Sequence, residues 1–131
     1  MDELQIARWL AAGRVAMGAA LLIAPGFAGG RWIGEAARQP TVKVAIRALG
    51  VRDLVLGLGT FRSIDRGEPV APWIQAGMVS DGVDCIATTL AIRQLPWRAS
   101  VPTLGIAGSA VALGARALRG LDQPSRAPGG I

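Results

Sequence analysis

Val42-Lys43-Val44-Ala45-Ile46-Arg47-Ala48-Leu49-Gly50-Val51-Arg52-Asp53-Leu54-Val55-Leu56-Gly57-Leu58-Gly59-Thr60-Phe61 is the stretch on which the fold turns. Its length and apolar content suit a helix crossing a bilayer, yet three charges sit in its middle. Its nine Val, Ile and Leu residues contribute about −4 kcal/mol to insertion, while Arg47, Arg52 and Asp53 cost about +8 kcal/mol. Alone it does not insert. It needs partners of opposite charge at the same depth, and the rest of the chain supplies them.

Three further apolar segments surround it: Ile6 to Ala24, Pro72-Trp73 to Ile92, and Val101 to Leu118, the last with Pro102 in its first turn. Each of the four is about as long as the ~20 residues that cross ~30 Å of hydrocarbon. Only helices fit, because barrel strands would be about half that length. The expected fold class is therefore all-α, a transmembrane four-helix bundle over residues 1–119. The polar tail at 120–131 is expected to be disordered. Trp9, Trp32, Trp73, Trp97, Phe27 and Phe61 fall at or just beyond segment ends, the placement of an interfacial belt. A soluble bundle would bury some of them in its core.

Composition narrows the function. Hydrophobic residues make up 51% of the chain and charged ones 18%, richer in apolar and poorer in charged residues than a soluble domain. The net charge of +5 comes from singly scattered arginines rather than a basic run, so the footprint of nucleic-acid binding is missing. There is one cysteine, Cys85, and no His or Tyr. No disulfide, metal-ligating set, catalytic set or cofactor site is implied, and an enzyme is disfavoured because Asp alone would have to move protons. The Met-Asp-Glu start lacks the basic n-region of a signal peptide, so the first segment is expected to be retained. Loop charges divide six against five between the two sides. The free amino terminus tips the orientation toward N-in and C-in.

Placed by segment midpoint, Arg14, Arg52, Asp53, Asp81 and Asp84 share a layer roughly 6 Å thick, with Arg47 about a turn away. Three Arg and three Asp would cancel, which matters where a lone charge costs about 2.5–3.5 kcal/mol. Gly77, Asp81, Asp84, Cys85 and Thr88 form a small, polar stripe on the third helix. The second and third helices are expected to enter as a hairpin with Arg and Asp paired. Arg52 is the first candidate partner of Asp81, with Arg14 and Arg47 as alternatives. Ala12, Ala16, Ala20 and Ala24 on the first helix are spaced for close packing. So are Gly105/Ser109, Gly108/Ala112 and Ala110/Gly114 on the fourth.

These residues carry a resemblance. Gly13-Arg14 followed by Gly18 and Pro25, then Gly50-Val51-Arg52-Asp53-Leu54-Val55-Leu56-Gly57, then Ser80-Asp81-Gly82-Val83-Asp84, resemble a group of small four-span membrane proteins common in actinobacteria and known only as a domain of unknown function. The group is similar in layout to DoxX-like proteins. The resemblance covers residues 6–118 and implies a four-helix bundle in the bacterial plasma membrane. It implies nothing about chemistry.

Three functions are compatible with this reading. The chain is a non-enzymatic membrane subunit or scaffold whose Arg/Asp network is structural. Alternatively it is a small proton-coupled transporter or channel component using Asp81 and Asp84. The third reading is a protein acting on a lipid or isoprenoid, with Arg52 or Arg47 as an anion clamp. Expected partners are the lipid bilayer, a second copy or another membrane protein, and a lipid ligand, but no nucleic acid.

Overall fold

The computed structural model describes residues 2–93, 95 and 97–121, without the side chains of residues 98 and 99. The described residues are all-α: α1 (Glu3–Ile23), α2 (Pro25–Ile33), a 3-10 turn (Gly34–Arg38), α3 (Pro40–Arg66), α4 (Ala71–Leu90) and α5 (Trp97–Leu121). Two stretches, Glu3–Ile23 and Ser100–Leu121, are long and apolar enough to cross a membrane. In α3 and α4 the charges of the central segments lower the hydropathy.

Local chemistry sets the boundaries. The Asp2 amide donates to Gln5 Oε1 at 3.4 Å at the start of α1. Pro25 ends α1 and serves as the first residue of α2, where its missing N–H is no loss. Pro40 opens α3 in the same way. At the other end of α3, Gly67 takes φ 65°, its amide donates to the Ile64 carbonyl, and the Glu68 amide donates to that of Ser63. This is a Schellman stop that only a residue tolerant of positive φ makes cheaply.

Contacts run α1–α3, α3–α4, α4–α5 and α5–α1, closing a ring of four long helices with α2 at one end. The most extensive pairings are α1 with α3 and α4 with α5, so the expected hairpin of the second and third segments is not the principal pairing. Glycine explains why. A Cβ on Gly18 would lie 2.6 Å from the Gly50 carbonyl, one on Gly50 2.8 Å from the Gly18 carbonyl, and one on Gly57 2.8 Å from that of Ala11. Ala11 and Gly18 are seven apart on α1, and Gly50 and Gly57 are seven apart on α3. Two turns of each helix thus run antiparallel with backbones touching.

The packing faces differ from those expected. On α1 the buried residues are Ile6, Ala7, Ala11, Gly18 and Leu21, while Ala16 and Ala20 are exposed. On α5, Gly105, Ser109, Gly108 and Ala112 are exposed; of the third expected pair Ala110 is half-buried and Gly114 packs against Met78 and Ile74. Alanine spacing alone did not identify the faces, because the helices approach where glycine removes the side chain.

Other segment ends move as well. The connection after Pro25 holds a nine-residue helix, hidden in the sequence by Gly26, Gly29 and Gly30, which read as a loop. Gly29 makes room for the Ile46 side chain. α5 begins at Trp97, a turn earlier than expected, which places Pro102 inside the helix. It also continues through Gly120 and Leu121, the first two residues of the expected tail. The rest of that tail lies outside the described residues. Trp73 covers Gly59, and Trp32 Nε1 donates to Thr103 Oγ1 at 2.5 Å. Two members of the expected aromatic belt therefore make tertiary contacts.

The core is layered. Ile6, Ala7, Val70, Ile74 and Ala117 form an apolar cluster at the end holding the α1 N-terminus and the α5 C-terminus. Leu21, Ala37 and Ile46 form another at the opposite end, beneath α2 and the 3-10 turn. The charges lie between them.

Candidate functional site

The same spacing that seals α1 to α3 sets the charges face to face. Arg14 lies between Ala11 and Gly18, and Asp53 between Gly50 and Gly57, each on the contact stripe of its helix. Arg14 Nη1 donates to Asp53 Oδ1 at 3.4 Å, and Nη2 donates to Asp81 Oδ2 of α4 at 2.5 Å. To reach α4 the guanidinium passes over Gly77, where a Cβ would lie 2.7 Å from Nη2. The small-and-polar stripe of α4 thus has a specific use: Gly77 is the groove and Asp81 the terminus.

Arg52 completes the constellation. It grips Asp84 with two parallel bonds, Nη1 to Oδ1 at 3.1 Å and Nη2 to Oδ2 at 2.8 Å, and Nη2 also donates to Asp53 Oδ1 at 3.3 Å. The result is a chain of alternating charge, Asp81–Arg14–Asp53–Arg52–Asp84, spanning α1, α3 and α4. The Asp81 half of the chain is well covered, with side-chain exposure of 16% for Arg14, 12% for Asp53 and 10% for Asp81, while Arg52 and Asp84 are about 30% exposed. Both ends of the chain are acids.

Five of the six charged residues expected to meet do so. Arg47 does not. It is exposed, and its Nε donates to the Leu22 carbonyl at 3.4 Å. Leu22 is in the last turn of α1, where carbonyls lack helical partners and a cation is favoured. Arg47 therefore caps a helix end instead of balancing Asp. Arg52 pairs with Asp84 and Asp53, so the first-choice pairing of Arg52 with Asp81 is replaced by Arg14 with Asp81. The expected neutrality also fails: two Arg and three Asp leave a formal charge of −1. Of the two arginines expected as an anion clamp, Arg47 lies elsewhere and both terminal nitrogens of Arg52 are engaged by carboxylates. Arg52 Nε is buried without a partner. Thr88 is buried and Cys85 half-buried on the same helix, but neither bonds to a network side chain.

Two of the cavities among the described residues reach the carboxylates of the network. One of about 280 Å³ is lined by Trp32, Leu49, Arg52, Asp53, Asp81 and Asp84 among others, with Arg31 also in its wall. The second, about 620 Å³, lies between α1 and α5 and is lined by Trp9, Arg14, Asp53, Asp81 and Ile106 among others. Met17, Asp53, Asp81, Pro102 and Ile106 belong to both, so the two meet at the carboxylates. Met17, Ile106, Pro102 and Thr103 were not legible as site residues. Their only signal was Pro102, which marks where α5 cannot keep its backbone ladder. Among the described residues, no His, Cys, Asp and Glu group of three or more could hold a metal ion. Searches against family models, curated proteins and solved structures find no match for this chain.

Proposed function

We propose that the protein is a multi-pass integral protein of the bacterial plasma membrane, crossing it with α1, α3, α4 and α5. In this reading it serves as a non-enzymatic membrane subunit or scaffold whose charge chain fixes the helix pairing. The observation that carries it is an inverted distribution of polarity. Val44, Val51, Val55 and Leu58 are exposed on α3, and Val79, Val83, Ile86 and Leu90 on α4, each set at helical spacing on one outward stripe. Arg52, Asp53, Asp81 and Asp84 of the same two helices point inward to one another. Apolar stripes of this extent on the outside of a chain mark contact with lipid or protein. The low hydropathy of the middle of α3 and α4 then comes in good part from network charges that hydrocarbon never meets. α2 lies at one end with Phe27 exposed and the Arg31 guanidinium 4.8 Å above its ring, a pairing suited to the interface.

Glu3 on α1 packs against Gly120 of α5, so the two helix ends lie at one end of the bundle. Reporters fused before Asp2 and after Ile131 should read the same side, and the cytoplasmic side in the N-in orientation. Carbonate extraction should leave the protein in the membrane. Opposite sides, or release by carbonate, would remove the four-span reading.

A second reading has its own support. The formal charge of −1 left on the network is the feature on which a small proton-coupled transporter or channel component using Asp81 and Asp84 would be built. Cys85 separates the two, because it follows Asp84 directly and is the chain's one thiol. If the network is dry, an impermeant maleimide should leave Cys85 unmodified in intact membranes, since water and the reagent are both excluded. Rapid labelling from one side would place the transport reading first.

A further inference from the structure

The charge chain ends in two acids, and its uncompensated part faces a cavity with apolar lips. Asp53 and Asp81 each offer one oxygen to Arg14. Their other oxygens accept no hydrogen bond from the described residues, and neither is among the buried unpartnered atoms. Both residues line the 620 Å³ opening between α1 and α5, which holds two carboxylates against one guanidinium. The rim is Trp9, Met17, Ile106 and Leu113, all exposed. Gly13 and Gly105 stand at the same rim, where an added Cβ would meet nothing within 4 Å. The two helices pack at the α1 N-terminal end, where Glu3 meets Gly120 and where Ala7 and Ala117 belong to one buried cluster.

We propose that this opening is a lateral binding site for a small monovalent organic cation with apolar substituents, entered from the hydrocarbon side. The inference rests on the membrane placement argued above and goes beyond the scaffold reading. A cation neutralises the charge that Arg14 and Arg52 leave over, and its substituents replace lipid against Met17, Ile106 and Leu113. Trp9 adds an aromatic face, which favours a cation over a neutral guest. A hydrated metal ion fits poorly, because beyond Asp53 and Asp81 the lining side chains offer only the Ser109 hydroxyl to replace its water. An anion would meet two carboxylates.

The test uses the purified full chain in neutral detergent, titrated calorimetrically with tetraphenylphosphonium and with tetraphenylborate, which have nearly the same shape and opposite charge. Saturable binding of the cation is expected, at least about tenfold tighter than the anion. Gly105→Phe, which lays a ring across the opening without touching the network, should weaken cation binding at least about tenfold. Equal or tighter binding of the anion overturns the proposal and leaves an apolar lipid pocket. Cation binding indifferent to Gly105→Phe, or no saturable binding by either ion, overturns it too. So does a dimer that Gly105→Phe converts to monomer without any cation binding, which assigns the face to a second copy. Carbonate extraction of the same protein keeps the questions apart. An integral protein that binds no cation sinks only this inference, whereas a carbonate-released one sinks the membrane placement.

Discussion

Asp81→Ala lowers the folded, membrane-retained fraction more than any other single change in the charge chain, by about 3–5 kcal/mol. The reason is what it leaves behind. Arg14 donates to Asp81 at 2.5 Å and to Asp53 at 3.4 Å, so losing Asp81 strips the guanidinium of its closer partner. Asp53 cannot compensate, because its Oδ1 also serves Arg52. Adding Arg14→Leu should recover part of the loss, since the remaining Asp53, Arg52 and Asp84 still alternate in sign. Adding Arg52→Leu to Asp81→Ala should recover nothing, because Arg52 belongs to Asp84. Thermal unfolding in detergent of the three proteins decides the pairing. Rescue by Arg52→Leu and not by Arg14→Leu would mean that the partners have been assigned the wrong way round.

The sequence made the charges legible and their partners illegible, for a definite reason. Depth along a helix follows from counting residues at ~1.5 Å each, so the layer containing Arg14, Arg52, Asp53, Asp81 and Asp84 could be read directly. Which arginine faces which carboxylate depends on rotation about each helix axis, and that is set by where backbones can touch. The alanine ladder on α1 was the more regular pattern, yet Ala16 and Ala20 face outward. The seven-residue pairs Ala11/Gly18 and Gly50/Gly57 decide the contact, and they place Arg14 and Asp53 between them. Arg47 shows the converse limit. It lies less than two turns from Arg52, but the antiparallel seam brings it to the last turn of α1, where a carbonyl needs a donor. Counting charges in a segment gave neutrality, whereas counting those that meet gives −1. The short helix α2 was lost for another reason, because three glycines in nine residues outweigh an amphipathic pattern too brief to read.

Glycine to alanine substitutions should therefore split by position, and the split tests the seam itself. At Gly13, Gly82 and Gly108 an added Cβ meets nothing within 4 Å, so alanine should be neutral or stabilising by up to about 1 kcal/mol through reduced backbone entropy. At Gly50 the same methyl would lie 2.8 Å from the Gly18 carbonyl and 2.9 Å from the Leu22 amide; at Gly18 it would lie 2.7 Å from the Leu54 amide. These neighbours are backbone and cannot rotate away, so α1 and α3 must separate. Overpacking of this kind costs about 1–3 kcal/mol. Here the separation also draws Arg14 away from Asp53, whose 3.4 Å contact has little length to spare. Gly50→Ala and Gly18→Ala should accordingly lose stability beyond the steric term. In the Arg14→Leu background, where no ion pair remains to be stretched, the penalty of Gly50→Ala should shrink toward the steric term alone. Thermal unfolding of the single and combined variants in one detergent measures both effects. Equal responses to alanine at Gly13 and Gly50 would show that the helices do not meet where the glycines place them, and the geometry of the charge chain would fall with that contact.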